Sequence, residues 1–276
     1  DTGGELMRVK TLLVLVLTVF LAVGNAIAAP GDFDGPYSLH GVTLDVANWW
    51  ATSVVGSSQQ NPPENILGPV DGKWAIGSPS DGWITVGFDQ AITNGSGDDF
   101  AVWENGFNVG ATGRIYAELG YVDVSTDGDN WVEFPSAYLE VESGSPNIDP
   151  TYVYNLAGNY EAHYIPVEER EGTPFDLEDI LSTSEVLAGL VDPNEINYIR
   201  LRDIIGGGEG GDNWDQATYF GDNRDHWIHD GISYGGGADW DAIGVMNAVP
   251  IPGAAWLLGS GLLGLIGIRR RKVSNH

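Results

Sequence analysis

A period-two pattern with aromatic and β-branched residues runs along five stretches of the chain: Gly82 to Phe88, Phe100 to Trp103, Ala117 to Ser125, Asn130 to Phe134 and Ile196 to Asp203. A period of two, carried by β-branched and aromatic residues, marks strands with one buried face. Clusters of Gly, Asp, Asn and Pro between them supply turns. Only Asp176 to Ser182, extended by Ser184 to Ala188, has the spacing of short helical turns, with Asp176 placed to cap. No repeat of roughly 20–50 residues recurs, which argues against a propeller or solenoid. The pattern predicts an all-β fold, a jelly-roll-like antiparallel β-sandwich with long acidic loops.

Two uninterrupted apolar runs depart from this alternation. Leu12 to Val23 follows Arg8 and Lys10 and precedes the small residues Ala26, Ile27 and Ala28. That order predicts a signal helix, with residues 1–28 a leader cut by signal peptidase ahead of a surface domain over 29–248. An N-terminal membrane anchor is the alternative, but the run is short for a span. At the other end, Val249-Pro-Ile-Pro-Gly253 precedes the apolar run Ala254 to Ile268, and Arg269, Arg270, Arg271 and Lys272 follow it. A proline-rich break, a run able to cross a thin bilayer and a basic cluster retained inside predict a transmembrane helix within a tail of residues 249–276. The competing reading, a buried core helix, would need a polar face that this run lacks.

Charge sharpens the picture of the middle. The whole chain carries a formal −27, and removing both ends takes away six of twelve basic but only two of thirty-nine acidic residues, leaving about −31. Such a field repels nucleic acid and anionic membrane surfaces and favours divalent cations. It is also a common solubility strategy with no ligand. No cysteine is present, so an exported domain of this composition has no disulfide framework and relies on packing, helped by any metal.

Candidate chemistry gathers in the loops. Asn94 to Phe107 places Asp98, Asp99, Glu104 and Asn105 on either side of a short apolar run, the hard-oxygen chemistry that calcium prefers. Asp239 and Asp241 alternate across Trp240, so in a final strand both carboxylates share one face, with Trp240 and Ala242 on the other. These six residues are the candidate ligands of structural calcium; an acidic, solvated turn is the plainer alternative. Asp127-Gly128 suits a type I′ hairpin turn between two strands. The glycine-rich segment Asp203 to Asp215 is no phosphate loop, since no helix start and no lysine follow; Asp203, Asp212 and Asp215 there offer either a second cation site or a solvated loop. His226 and His229 lack the helical context and third ligand of a zinc site.

Ten tryptophans are many for this length, and aromatic faces stack on sugar rings. Trp83, Trp103 and Trp131 fall in predicted strands and belong to packing. Trp49, Trp50 and Trp74 fall in loops, as do Trp214 and Trp227, which are flanked by Gly, Asp and Asn and are the candidate ligand-binding pair.

The tail, with Val249, Pro250, Pro252, Arg269, Arg270 and Arg271 as its marks, resembles the PEP-CTERM sorting signal of Gram-negative bacteria, with Ile251 where the usual motif carries Glu. The resemblance implies recognition by an exosortase-type processing enzyme, transient anchoring in the inner membrane, and delivery to the cell surface or extracellular matrix. The ordered motifs Asn65 to Gly72, Gly97 to Phe107, Ala117 to Trp131, Asn155 to Gly158, Gly172 to Leu177, Tyr198 to Asp203 and Asp239 to Asn247 resemble those of bacterial cell-surface proteins with such tails. More loosely, Val122 to Trp131 resembles a hairpin of discoidin and galactose-binding-like jelly rolls, which implies a structural calcium and rim loops that bind glycans; the long insertion from Ile148 to Thr183 departs from that pattern.

No Cys nucleophile, H-E-x-x-H or G-x-S-x-G motif occurs in the core. The expected function is a calcium-stabilised binding or adhesion module for glycan or exopolysaccharide, not an enzyme. The alternatives are a structural matrix protein without a discrete ligand, and a glycan-active hydrolase built on a carboxylate pair.

Overall fold

A computed structural model describes residues 36–58, 61–77, 82–138, 147–204 and 237–248, with the backbone alone of 215–217 and 226–228. The expected signal helix and transmembrane helix lie outside the described residues. Among the described residues, no helix is long and apolar enough to cross a membrane.

The chain folds as antiparallel strands with almost no helix. One sheet runs β1 (Trp49–Trp50), β17 (Gly237–Val245), β5 (Phe100–Glu104), β13 (Thr173–Phe175), with β3 (Ala75–Gly77) also paired to β17. The facing sheet runs β2 (Ser53–Ser58), β4 (Trp83–Ile92), β14 (Ile196–Asp203), β8 (Gly120–Ser125), β9 (Val132–Glu133). Alternation decides which side chains meet between them. Ile84, Val86, Val122, Val124, Ile199 and Leu201 come from the second sheet, and Phe100, Val102, Phe175, Trp240, Ile243 and Val245 from the first. Phe100 stacks on Phe175 at 5.2 Å, and Phe134 sets its edge against both rings.

The outer faces differ, as the polar positions foretell. On the second sheet Arg200 and Arg202 reach across the register to Asp123 at 2.6 and 2.8 Å, and stack over Trp131 and Tyr121. On the first, Ala101, Trp103 and Ala242 pack beneath Val70 and Ala162. Three short pairings lie beside the sandwich: β6 (Phe107–Asn108), β7 (Ile115–Tyr116) and β11 (Asn147–Ile148) form one sheet, β10 (Ala137–Tyr138) pairs with β12 (Val153–Tyr154), and β15 (Asp215–Ala217) with β16 (His226–Ile228). Beneath the first two sits a second apolar cluster that includes Ile115, Leu119, Tyr138, Ile148 and Leu156.

The segment from Ile148 to Thr183 is built into the fold. It supplies β12, the edge strand β13 and a short 3-10 turn over Leu177–Ile180, whose first N–H groups are met by the Asp176 carboxylate through Glu178 N. An α-turn over Ser184–Leu187 follows.

The hairpin after β8 departs from a two-residue turn. Val124 pairs with Val132, so Ser125 to Trp131 form a wider loop, and only Gly128 has positive φ, +84°, where type I′ needs two such residues. Asp127 instead accepts the N–H groups of Asp129 and Asn130. Those bonds, the Asn130 backbone first, hold its carboxyl down at about 2.

Candidate functional site

The six expected calcium ligands separate into three places. A strand rises about 3.3 Å per residue, so Asp99, just before β5, and Glu104, at its far end, stand roughly 16 Å apart. Asp99 is buried and structural: it accepts Gly95 N at 2.8 Å, Leu177 N at 2.8 Å and Asn247 Nδ2 at 2.9 Å, which clips the loop before β5 to the 3-10 turn and to the end of β17. Asp98 faces outward, 3.4 Å from His40 Nε2. Asp241 lies on the outer face of the first sheet, where it accepts Asp71 N and Gly72 N and pairs with Arg170 Nη1 at 3.0 Å. Asp99 and Asp241 therefore spend their lone pairs on the protein.

Asp239 and Asp241 do point away from Trp240, but Ala242 does not join Trp240. A bulge between Trp240 and Ala242 turns Ala242 outward against Trp103, while Ile243 resumes the core face.

The remaining acidic residues meet at one end of the sandwich. Glu104 closes β5, Asp239 opens β17, Asp203 ends β14, and Glu118 precedes β8, where Gly120 pairs with Asp203. Asp239 takes Gly77 N at 2.9 Å and Asn105 Nδ2 at 2.9 Å, and its own N–H reaches Glu104 Oε1 at 3.4 Å. Asp203 Oδ1 accepts Ala238 N at 3.2 Å. Glu104 is 2 % exposed and Glu118 8 %. Burial, then the charges of Glu118 and Asp239, drives the Glu104 carboxyl well above its ordinary range; burial, then Asp239 and Asp203, raises Glu118 to about 8. Among the described residues, no group of three or more His, Cys, Asp or Glu is already arranged to hold a metal ion.

A second feature lies on the β6–β7 ribbon. Phe107 pairs with Tyr116 across it and the rings stack at 4.9 Å. Tyr164 meets Phe107 edge-on at 5.3 Å and stacks on His163 at 3.9 Å; His163 lies 5.7 Å from Trp74, over which Arg170 sits. These five rings form a continuous strip. Tyr164 is 77 % exposed, and its φ of +63° puts a bulky side chain in the left-handed region. Burial, then Arg170, lowers the His163 pKa and keeps the ring neutral at pH 7.

Asn108 and Ile115 occupy the opposite face of the ribbon, where a groove of about 390 Å³ opens between His40, Tyr160, Glu161, Glu169 and Glu171. Its carboxylates accept hydrogen bonds and repel anions.

Of the expected tryptophans, Trp103 is fully buried, Trp131 is half-buried under Arg200, and Trp83 remains 36 % exposed although it lies in a strand. Trp214 and the Trp227 side chain lie outside the described residues, as do the sorting-signal residues Val249, Pro250, Pro252 and Arg269 to Arg271. Sequence reasoning missed Glu118 and the ring strip; a lone glutamate before a buried strand was the one available signal for the former, and the latter joins segments some fifty residues apart. No family model, curated protein or solved structure matches this chain.

Proposed function

We propose that this chain is an exported surface or matrix module that binds a neutral glycan on the strip formed by Trp74, His163, Tyr164, Phe107 and Tyr116. The observation that carries the reading is Tyr164. Holding a non-glycine residue at positive φ costs on the order of 1 kcal/mol, and here it holds an aromatic face out to water. Half-exposed rings in series suit the apolar faces of successive sugars. The neighbouring carboxylates offer acceptors for hydroxyl groups and disfavour acidic polymers.

The rest of the chain supports the same setting. The leader reads as a substrate of signal peptidase, and the tail, in its likeness to a PEP-CTERM signal, as one of an exosortase-type enzyme acting after transient membrane anchoring. The sandwich is jelly-roll-like in this reading. The alternative, a glycan hydrolase, would rest on the raised, buried pair Glu104 and Glu118, neither of which lines the groove beside His40 and Tyr160.

The test is a glycan array with the purified protein and Y164A. Binding to a neutral sugar class that weakens about tenfold in Y164A supports the strip. Wild-type binding unchanged in Y164A but lost in W214A or W227A moves the site to Trp214 and Trp227. No binding at all favours a matrix protein without a discrete ligand.

A further inference from the structure

Burying a carboxylate without a partner is among the more costly things a fold can do, and chains that do so compensate with a hydrogen bond, a proton or a cation. At the end of the sandwich three strands and the segment before β8 bring Glu104, Glu118, Asp203 and Asp239 together from positions as far as 135 residues apart. Glu104 is 98 % buried, and its Oε2 has no hydrogen-bond partner among the described residues. That oxygen faces Gly158: a Cβ there would sit 3.4 Å from it and 2.6 Å from the Glu118 carbonyl oxygen. Among the described residues no cationic side chain is paired with Glu104, Glu118 or Asp239, whereas Asp123 and Asp241, buried acids on the same sheets, are each met by arginine.

We infer that this end of the sandwich is a calcium site, with Glu104, Glu118, Asp203 and Asp239 as carboxylate ligands and the Asn105 amide oxygen beside them. All the donors are oxygens, with no nitrogen or sulfur ligand to favour zinc or copper. Calcium accepts six to eight oxygens in a flexible shell, which fits a set drawn from strand ends rather than from one rigid loop. Like charges repel one another until a cation joins them, so the four groups stand as neighbours without converging on one point, and the ion draws them together. The site shares only Glu104, Asn105 and Asp239 with the set expected from sequence. Its role is to tie the two sheets at one end.

Thermal unfolding of the purified protein, stripped with EGTA and titrated with calcium alone, tests this. At calcium a hundredfold above the dissociation constant, the midpoint should rise by roughly 5–10 °C. E104Q should lose the rise and unfold hotter than wild type in EGTA, since it removes a buried charge; D98N, remote from the site, should keep the rise. Terbium luminescence gives a second reading, with emission lost in E118Q and kept in D98N, in case E104Q does not fold. A wild-type midpoint insensitive to calcium, or a full rise in both E104Q and E118Q, overturns the assignment and leaves the carboxyls sharing protons.

Discussion

At the scale of single residues, neighbouring acids do unlike work. Asp98 and Asp99 are adjacent, yet one faces solvent and the other makes three hydrogen bonds in the interior. D99A should therefore cost about 2–4 kcal/mol in urea unfolding, and D98A no more than about 0.5. Asp176 makes a pH-dependent contribution. Burial, then Asp99, Asp179 and Asp98, raises its carboxyl from 3.8 to about 6. The fold thus prefers the protonated form: that stabilising preference is complete below pH 3.8 and is lost as pH rises through 6. D176N keeps the cap on Glu178 N, so it should match wild type near pH 4 and show a higher urea midpoint at pH 7.5. Tyr164 reverses the usual trade. Y164G relieves the left-handed backbone and should leave stability unchanged or raise it by up to about 1 kcal/mol, while sugar binding falls.

At the scale of elements, alternation made β4, β5, β8 and β14 legible, and β9 in shorter form, because a buried face imprints period two on the sequence. The helical turn at Asp176 was legible for a similar local reason: the capping carboxylate and the Glu178 N–H it accepts are two residues apart. What alternation does not carry is the pairing. Glu104 and Asp239 meet through the β5–β17 register, and one extra residue in the bulge after Trp240 swings Ala242 to the outer face. The acidic oxygen donors were visible in composition, but which of them meet is decided by strand ends, not by distance along the chain. Close packing across elements is testable at Gly120, where a Cβ would fall 2.6 Å from the Trp240 ring. G120A should cost about 1–3 kcal/mol and broaden the Trp240 environment in near-ultraviolet circular dichroism.

At the scale of the molecule, a formal charge of −27 acts against compactness. Screening shortens the range of that repulsion to about 8 Å at physiological ionic strength. The unfolding midpoint in EGTA should accordingly rise as sodium chloride goes from low to physiological concentration, a response that E104Q shares, since it belongs to the whole field.

The borders of the two sheets carry a last consequence. β1 and β9 are two residues long, β13 holds Pro174, and β2 is broken by a bulge between Val54 and Gly56. Among the described residues, each of these four strands thus offers a neighbouring copy too few in-register backbone groups to recruit it as another strand. However densely such molecules are packed, these borders give one copy no template on which to extend the sheet of the next.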